Sequence, residues 1–292
     1  LESIEGLIIR SQFAVDEAAL AKMPKLRAVV TATAGFDHID LAACAKRNIR
    51  AAHCPDSHKA STAELTWALL LACARKLKAA DKTVRLLEWD REPLMGWQFS
   101  GKTHGIVGLG RVGSRVAEIA HAFGMNIVAH DPYRENSHFE KYRATRVGLD
   151  EVFHLADSVS LHVPMTPKTR GRINRVQFDF MKSHSILVNT SRGGVVKEDD
   201  LVLHLKAKGL GTFGLDVFTQ EPMRKGYELL DFPQVVMTPH IGANTREAYD
   251  AVSKEAATNL LALLAGGTAS GPLPPPEDWY QAVSGLAGTT SF

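Results

Sequence analysis

The sequence contains few cysteines and no apolar run long enough to cross a membrane. Its three cysteines are Cys44, Cys54 and Cys73, an odd number without any C-x-x-C spacing. This usage is typical of free thiols in a reducing compartment, so we expect a cytoplasmic protein. The longest apolar run, residues 65–74, is far shorter than the roughly 20 residues that a transmembrane helix needs. The first residues lack the pattern of a cleavable signal, and we expect no membrane partner.

An excess of charge of either sign is also absent. Lysine and arginine number 34 against 32 aspartates and glutamates, a formal net charge of +2. A nucleic-acid-binding surface normally has a clear basic excess, so this balance argues against nucleic acid as a partner. His53, Cys54 and His58 lie close together, but no fourth ligand follows at zinc-like spacing, and we expect no metal site.

Short β-rich runs alternate with amphipathic segments along most of the chain. This alternation predicts an α/β fold in which helices cover parallel sheets. The predicted strands are residues 6–10, 27–31, 49–53, 103–108, 126–131, 158–164, 185–191, 212–217 and 235–240. The predicted helices are residues 15–23, 40–48, 112–123, 149–156, 174–182, 198–208 and 245–267, with a buried helix that begins near Thr62 after the S-x-x-E pattern of residues 61–64. Gly124 and Gly209 are expected to end two helices in the left-handed conformation.

A glycine-rich turn follows the strand predicted at residues 103–108. The segment GLGRVG places Gly108, Gly110 and Gly113 in a G-x-G-x-x-G pattern. In dinucleotide-binding folds these glycines allow a tight turn, the approach of a pyrophosphate to the backbone, and close packing of helix on strand. Free N–H groups at the helix N-terminus favour the phosphates. The turn therefore predicts a dinucleotide cofactor.

An acidic residue at the end of the next strand indicates which dinucleotide is bound. Asp131 ends the segment NIVAHD, 18 residues after Gly113, close to the roughly 20 of the NAD-binding pattern. A carboxylate at this position binds the ribose hydroxyls of NAD and repels the 2′-phosphate of NADP. We therefore predict NAD.

Three ionisable residues lie just past predicted strands in the second half of the chain: Arg192 in NTSRGG, Glu221 in LDVFTQEP and His240 in TPHIG. Ligands of doubly wound sheets bind at the carboxyl ends of strands, so these side chains can converge. The Arg192 fork suits a carboxylate and an adjacent carbonyl oxygen, and His240 can exchange a proton near neutral pH. Glu221, if bonded to the imidazole, fixes its tautomer and favours its protonated form. Each residue taken alone has a structural alternative: a salt-bridged arginine, a surface glutamate before Pro222, or a capped histidine.

In this order, GLGRVG, HD, NTSRGG, LDVFTQEP and TPHIG resemble the NAD-dependent D-2-hydroxyacid dehydrogenases, over about residues 7–264. The separations of 29 residues between Arg192 and Glu221 and of 19 between Glu221 and His240 fit the pattern of that family. The resemblance implies that Arg192 binds and polarises a 2-oxo acid, that His240 is the acid–base residue and that Glu221 is its partner. It implies hydride transfer between NAD(H) and C2 of the acid.

The resemblance also implies a wider set of binding residues. Asp216 matches the family residue that holds the nicotinamide carboxamide, and backbone N–H groups around Ala34 and Gly35 would receive the substrate carboxylate. The implied cofactor-binding residues are Gly108, Gly110, Arg111, Val112, Gly113, Asp131, His162, Val163, Pro164, Thr169, Thr190, Asp216, His240 and Gly242. The implied substrate-binding residues are Arg10, Ser11, Ala34, Gly35 and Arg192.

The segments LIIRS and TATAGFDHID resemble the 3-phosphoglycerate and erythronate-4-phosphate dehydrogenases of this family. They favour a phosphorylated substrate that contacts Arg10, with D-3-phosphoglycerate and phosphohydroxypyruvate as the first candidates. The structural alternative is that Arg10 is simply a surface cation at the end of a strand. A glyoxylate or hydroxypyruvate reductase is the second interpretation. A protein of another class, an NAD-sensing binding protein similar to transcriptional corepressors of the same fold, is the third.

For the architecture, the resemblance implies two Rossmann-like, doubly wound parallel-sheet domains with a cleft between them. Residues 1–57 and 244–292 would form a discontinuous, flavodoxin-like substrate domain, and residues 58–243 the NAD-binding domain. Members of the family usually carry a further strand and helix before the position of residue 1, so we expect that the N-terminal part of the substrate domain is missing. The helix near Thr62 and the segment LLEWDREPLMGW match the family's dimer-forming region, which implies a homodimer.

Overall fold

The computed structural model describes residues 1–207 and 211–274. The strands are β1 (Gly6–Ile9), β2 (Ala28–Thr31), β3 (Arg50–His53), β4 (Thr103–Val107), β5 (Asn126–His130), β6 (Thr145–Arg146), β7 (Ser158–Leu161), β8 (Ile186–Asn189), β9 (Thr212–Leu215), β10 (Val235–Met237) and β11 (Pro272–Leu273). The helices are α1 (Glu17–Ala21), α2 (Leu41–Lys46), α3 (Lys59–Ala74), α4 (Leu77–Arg85), α5 (Arg111–Ala122), α6 (Asn136–Lys141), α7 (Leu149–Leu155), α8 (Arg175–Phe180), α9 (Glu198–Lys206) and α10 (Arg246–Leu264). The cap predicted at Gly209 lies outside the described residues.

The chain divides into two compact units. Of the described residues, 62–164 and 169–242 form one unit, and 1–61, 165–168 and 243–274 form the other. The sequence-based prediction also assigned substrate to one domain and NAD to the other. That assignment and its boundaries stay a prediction.

The smaller unit is built on a four-stranded sheet with the order β1-β2-β3-β11. The first three strands are parallel and β11 pairs antiparallel with β3. Leu20 of α1 and Cys44 of α2 pack on one face of this sheet, and Val252 and Ala256 of α10 pack on the other. Strands that are covered on both faces read as continuous apolar runs, as AVVT of β2 does.

The larger unit is built on a seven-stranded parallel sheet with the order β10-β9-β8-β7-β4-β5-β6. Phe153 of α7 and Phe178 of α8 pack on one face, and Leu70 of α3 and Val116 of α5 pack on the other. The chain leaves β4 towards β5 on one side and later returns to β7 on its other side. This reversal is the switch point of a doubly wound sheet, where the carboxyl ends of the strands open a ligand crevice.

The predicted α/β class with parallel sheets is confirmed, and every predicted strand is present with trimmed ends. Gly124 ends α5 with a φ of +71°, as predicted. The prediction for the buried helix was wrong at its start, because α3 begins at Lys59 rather than near Thr62. Ser61 does not cap it: its Oγ lies 2.7 Å from Thr245 Oγ1. The prediction also missed α4, α6 and the two short strands β6 and β11.

None of the described helices is both long enough and apolar enough to cross a membrane. Within the same described ranges, no group of three or more histidine, cysteine or acidic residues is arranged to hold a metal ion. Cys44, Cys54 and Cys73 are buried free thiols, and burial raises the pKa of each, to about 12 for Cys73.

Candidate active site

The glycine-rich turn connects the end of β4 to the first turn of α5. Gly108 has a φ of +93°, and a Cβ added there would lie 2.6 Å from the carbonyl oxygen of His162. A Cβ on Gly113 would lie 2.1 Å from the carbonyl oxygen of Gly108, so α5 packs directly against the turn. A Cβ on Gly110 would meet no atom within 4 Å. The first and third glycines are therefore required by packing, whereas the backbone at the second is open to a ligand, as an approaching pyrophosphate requires.

Asp131 lies beside this turn, directly after β5. Its side chain is buried, with 9% of the residue exposed. One carboxylate oxygen accepts a hydrogen bond from the backbone N–H of Leu109 at 2.9 Å, and the other accepts one from Tyr133 at 3.0 Å. A carboxylate oxygen has two lone pairs, so these bonds orient Asp131 and leave acceptor capacity for ribose hydroxyls.

The other residues predicted to bind the cofactor follow the neighbouring strands. His162, Val163 and Pro164 come directly after β7, and Thr169 Oγ1 donates to the carbonyl oxygen of Pro164 at 2.6 Å. Thr190 follows β8, and its Oγ1 lies 2.8 Å from Thr66 Oγ1 of α3. The structure thus brings these residues to the same edge of the large sheet, while Arg111 and Val112 begin α5.

A buried chain of hydrogen bonds runs through β4 and β7 behind this edge. His104 is fully buried on β4, and its ring nitrogens lie 2.8 Å from Ser158 Oγ and 3.0 Å from Ser160 Oγ. Ser160 Oγ also lies 2.8 Å from His162 Nε2. Burial lowers the pKa of His104 to about 3, so the ring is neutral in the folded protein. Burial is the main cause of a lowered pKa at His162 as well.

The buried ring of His104 predicts a loss of stability in acid. An unfolded chain protonates histidine below pH about 6.5, whereas the folded protein keeps His104 neutral down to about pH 3. The unfolded state binds more protons in this window, so the free energy of unfolding should decrease as the pH is lowered. The contribution of this residue is at most about 1.4 kcal/mol per pH unit. Urea unfolding at several pH values between 7.5 and 4.5 measures the slope. His104→Asn should be less stable at pH 7 but show a shallower slope; equal slopes would contradict the assignment.

Arg192 lies on a tight turn directly after β8. Asn189 fixes this turn: its Nδ2 donates to the carbonyl oxygen of Arg192 at 2.9 Å, and its Oδ1 accepts from the N–H of Ser191 at 3.0 Å. Arg192 Nη1 donates to the carbonyl oxygen of Ser191 at 2.9 Å. This bond holds one arm of the guanidinium, a group with five donors in a planar fork, against the backbone of its own turn.

Gly193 brings the arginine turn against the loop that carries Glu221. An added Cβ would lie 1.9 Å from the carbonyl carbon of Phe218 and 2.5 Å from the backbone nitrogen of Thr219. The two backbones therefore touch at a point that only glycine allows. This contact places Arg192 and Glu221 in neighbouring loops at the carboxyl end of the sheet.

Glu221 and His240 form a hydrogen-bonded pair. His240 Nδ1 lies 2.6 Å from Glu221 Oε2, and Glu221 Oε1 accepts from the N–H of Phe218 at 2.9 Å. Burial opposes the ionisation of Glu221, but the bonds from His240 and Phe218, and the charges of His240 and Arg192, outweigh it and lower the pKa of Glu221. The carboxylate is therefore ionised and favours the imidazole tautomer that carries its proton on Nδ1.

Asp216 fixes the loop that carries His240. It is fully buried at the end of β9, and its Oδ1 accepts from Thr238 Oγ1 at 2.6 Å and from the N–H of Ile241 at 2.8 Å. Its Oδ2 accepts from the N–H of Gly242 at 2.8 Å. Burial outweighs these bonds and raises the pKa of Asp216. His240 has a φ of +53°, a conformation that is uncommon for histidine and persists only where neighbours impose it.

This role of Asp216 and the role of Asn189 were not predicted from the sequence. The family resemblance implies that Asp216 holds the cofactor, and this stays a prediction; in the structure its oxygens accept hydrogen bonds from Thr238, Ile241 and Gly242, on both sides of His240. The sequence signal is only general: an acid one residue after a predicted strand needs hydrogen-bond donors if it is buried, and the sequence does not say which loop supplies them.

The residues predicted to bind substrate, other than Arg192, lie in the smaller unit. Arg10 directly follows β1, and its guanidinium carbon lies 4.5 Å from the centre of the Tyr249 ring. Two further bonds hold the loop after β2: His53 Nδ1 lies 2.7 Å from the carbonyl oxygen of Ala34, and Thr33 Oγ1 donates to that of Gly35 at 2.7 Å. Ser11 is exposed beside Arg10.

Comparison with known proteins gives independent evidence on the family of this chain. Residues 67–242 match the D-isomer specific 2-hydroxyacid dehydrogenase, NAD binding domain, family. The chain is 39% identical over 267 residues to D-3-phosphoglycerate dehydrogenase of Methanocaldococcus jannaschii, a match that covers 91% of this chain and 51% of the relative. It is 39% identical over 259 residues to glyoxylate reductase of Aeropyrum pernix, with 86% and 77% covered.

Among solved structures, D-lactate dehydrogenase from Aquifex aeolicus, complexed with NAD and lactic acid, superposes with a TM-score of 0.84 at 30% identity. It covers 91% of this chain and 84% of that one. The chain spans about half the length of the phosphoglycerate dehydrogenases that it matches. Since the family match extends over more than half of this sequence, the chain belongs to the D-isomer specific 2-hydroxyacid dehydrogenase family.

Proposed function

We propose that the protein is an NAD-dependent D-2-hydroxyacid dehydrogenase that interconverts a 2-hydroxy acid and its 2-oxo acid. The observation that carries the proposal is the 2.6 Å bond between His240 Nδ1 and Glu221 Oε2. It lies in the unit that contains the glycine-rich turn, and the same carboxylate is influenced by the charge of Arg192. An imidazole–carboxylate pair and a cation thus lie in loops at the carboxyl ends of the strands of a doubly wound sheet, where ligands bind.

Arg192, His240 and Glu221 would each have a separate role in the reaction. Arg192 would bind the carboxylate and polarise the adjacent carbonyl oxygen with its planar fork. NADH, when bound, would supply the hydride for reduction at C2. His240 would donate its Nε2 proton to the substrate oxygen, while Glu221 stabilises the imidazolium beforehand and fixes the ring orientation. In the oxidative direction His240 would accept that proton.

The residues around the glycine-rich turn fit NAD. Gly110 leaves the backbone open, Gly108 and Gly113 form the turn, and α5 presents its N-terminal N–H groups to a pyrophosphate. The oriented carboxylate of Asp131 would bind the adenosine ribose and disfavour a 2′-phosphate. Thr190, Asp216, Gly242 and the residues after β7 complete the set proposed for the cofactor, with Asp216 acting mainly through the His240 loop.

We propose a phosphorylated substrate, with D-3-phosphoglycerate and phosphohydroxypyruvate first. The support is the series of D-3-phosphoglycerate dehydrogenases among the relatives and Arg10 at the carboxyl end of β1. The Tyr249 ring stabilises the Arg10 guanidinium by a cation–π contact and leaves its N–H groups for a phosphate. Ala34 and Gly35 would receive the substrate carboxylate through their backbone.

Arg10→Ala should separate phosphorylated from plain substrates. The variant loses a charged hydrogen bond to the phosphate alone, so kcat/KM for phosphohydroxypyruvate should fall by on the order of 10- to 100-fold. The value for hydroxypyruvate should stay close to that of the unmodified protein. Arg47→Ala, which removes a surface pair with Glu17 in the same unit, is the matched control. An equal loss on both substrates would mean that Arg10 makes no phosphate contact.

A glyoxylate or hydroxypyruvate reductase is the second candidate. It is favoured by the glyoxylate reductase relative, of which this chain covers 77%, a larger share than for the phosphoglycerate dehydrogenases. A panel of phosphorylated and plain 2-oxo acids, assayed with NADH and with NADPH, distinguishes the two candidates by kcat/KM. Tight NADH binding without turnover on any acid would favour the NAD-sensing binding protein instead.

A homodimer is proposed through the surface of α4 and the segment after it. Helix α4 buries none of its side chains, and the following Leu87, Trp89 and Met95 are 94%, 78% and 75% exposed. Apolar groups exposed together in this way are typical of an interface. The segment coincides with the dimer-forming region that the family resemblance implies.

The mass in solution tests this interface. Trp89→Lys should convert a dimer into a monomer, measured by light scattering at several concentrations, because a buried lysine without a partner disfavours association. Leu203→Lys changes an equally apolar residue on the exposed side of α9, where Leu203 is 61% exposed, and should leave the mass unchanged. A monomeric unmodified protein, or a dimer that survives Trp89→Lys, would contradict the proposal.

A further inference from the structure

Glu198, the first residue of α9, makes hydrogen bonds outside its own helix. Its Oε1 accepts from the backbone N–H of Thr219 at 2.7 Å. Its Oε2 accepts from Thr219 Oγ1 and from the hydroxyl of Tyr227. All three donors belong to the loop after β9 that carries Glu221, so one carboxylate holds two separate points of that loop.

The contact is a short distance along the chain from the acid–base pair. Phe218, which precedes Thr219, donates its N–H to Glu221 Oε1 at 2.9 Å. Glu221 Oε2 in turn lies 2.6 Å from His240 Nδ1. A series of bonds therefore leads from Glu198 through adjacent backbone groups to Glu221 and the imidazole.

The donors are well suited to a permanent contact. Burial, followed by the hydrogen bond and charge of Glu198, raises the pKa of Tyr227, so its hydroxyl remains a donor at any physiological pH. The ring of Tyr227 packs edge-on against Phe218, with 6.1 Å between the ring centres. Glu198 thus bonds Thr219 and Tyr227, which lie next to Phe218 in the chain and in space, respectively. Phe218 in turn donates its N–H to the carboxylate of Glu221.

The position of Glu198 also ties this loop to Arg192. Residues 193–195 form a single 3₁₀ turn between Arg192 and α9, and Gly193 touches the backbone of Phe218. The arginine turn and the glutamate loop are therefore fixed to each other at two places, once by a close backbone contact and once by the Glu198 carboxylate.

We propose that Glu198 is a positioning residue for the Glu221–His240 pair, through the loop of residues 218–227. It touches no reacting atom. It holds the N–H of Phe218 where Glu221 needs it, and so keeps the imidazole proton on Nδ1. The expected effect on kcat rests on the proposed dehydrogenase function. The expected effect on the position of Glu221 and on the imidazole proton does not.

Glu198→Gln is the test variant. The amide keeps the size of the side chain but replaces one acceptor oxygen with an NH₂ group, which would face a donor of Thr219 or Tyr227. Asp199→Asn is the matched control, because it removes the same charge from the next position of the same helical turn, where Asp199 is exposed. Should Glu198→Gln fail to fold, Tyr227→Phe removes one donor of the same contact and takes its place.

The first measurement does not depend on turnover. In protein labelled with ¹⁵N-histidine, the His240 Nδ1–H proton bonded to Glu221 should give a low-field NMR signal, assigned by its loss in His240→Asn. This signal should be present in the unmodified protein and in Asp199→Asn. It should be broadened or lost in Glu198→Gln, because a displaced Glu221 lets the proton exchange with water.

The second measurement is kinetic. Misplacement of a catalytic group by about 1 Å can cost about 100-fold in rate, so kcat of Glu198→Gln should fall by about 10- to 100-fold. The dissociation constant of NADH, measured by fluorescence, should be unchanged because the glycine-rich turn makes no contact with Glu198. A retained Nδ1–H signal in Glu198→Gln, or an equal effect in Asp199→Asn, would overturn the proposal. Absence of turnover in the unmodified protein would overturn the dehydrogenase function and leave the NMR result to decide on Glu198.

Discussion

His240→Asn is expected to lower kcat in both directions by about 10²- to 10⁴-fold, the usual effect of losing a positioned acid–base group. The imidazole is the group of the Glu221–His240 pair that can move a proton near neutral pH. Asparagine cannot donate or accept a proton at that position. NADH binding should persist, because the glycine-rich turn and Asp131 lie on other loops.

The choice of asparagine follows from the local backbone. His240 has a φ of +53°, and asparagine is among the few residues that tolerate this conformation. Its side-chain amide can still donate to Glu221, so that carboxylate keeps a partner. The three bonds to Asp216 involve Thr238, Ile241 and Gly242, and the substitution touches none of them. A fall in rate would therefore report lost chemistry rather than a displaced loop.

Steady-state rates of 2-oxo acid reduction and 2-hydroxy acid oxidation measure the effect, with the NADH dissociation constant determined separately. His184→Asn is the matched control, since His184 is a half-exposed histidine of the same unit that is bonded to Asp157. It should leave kcat unchanged. If kcat of His240→Asn equals that of the unmodified protein, His240 has no part in the mechanism and the proposed acid–base assignment fails.

The sequence predicted the fold well where its signals are periodic or depend on glycine. The parallel strands of the large sheet read as apolar runs, and the spacing of Gly108, Gly110 and Gly113 follows from packing that the structure shows directly. Helix α4 was not predicted; it is amphipathic, but it buries no side chain and so adds nothing to the core of its unit. The start of α3 was wrong because Ser61 bonds Thr245, which is 184 residues away.

The sequence likewise predicted some residues of the candidate site and not others. Arg192, Glu221 and His240 could be selected because each follows a predicted strand, and a parallel sheet brings such positions to one edge. The residues that support them could not be selected. Asp216 and Glu198 act through backbone N–H groups of loops that are distant in sequence, and any residue type supplies such an N–H, so the sequence holds no record of the pairing.

Arg192→Lys is expected to lower kcat/KM for 2-oxo acids by on the order of 100-fold while NADH binding is retained. The substitution keeps the positive charge, so an effect of this size would come from geometry: a guanidinium can bind a carboxylate and a carbonyl oxygen together through its planar fork, and an ammonium group cannot. In the structure one arm, Nη1, is held by the carbonyl oxygen of Ser191, which fixes the plane of the fork before substrate binds.

The loss should appear in both KM and kcat, because the fork would contact the substrate in the ground state and stabilise the charge that develops on its oxygen in the transition state. Arg175→Lys is the matched control, since Arg175 lies on the exposed face of α8 beside Asp179, and such a surface pair contributes little. Unchanged KM and kcat in Arg192→Lys would reduce Arg192 to a structural residue of the turn after β8. A loss confined to KM would mean that Arg192 binds the substrate carboxylate without polarising the carbonyl, and the hydride acceptor would then depend on His240 alone for its activation.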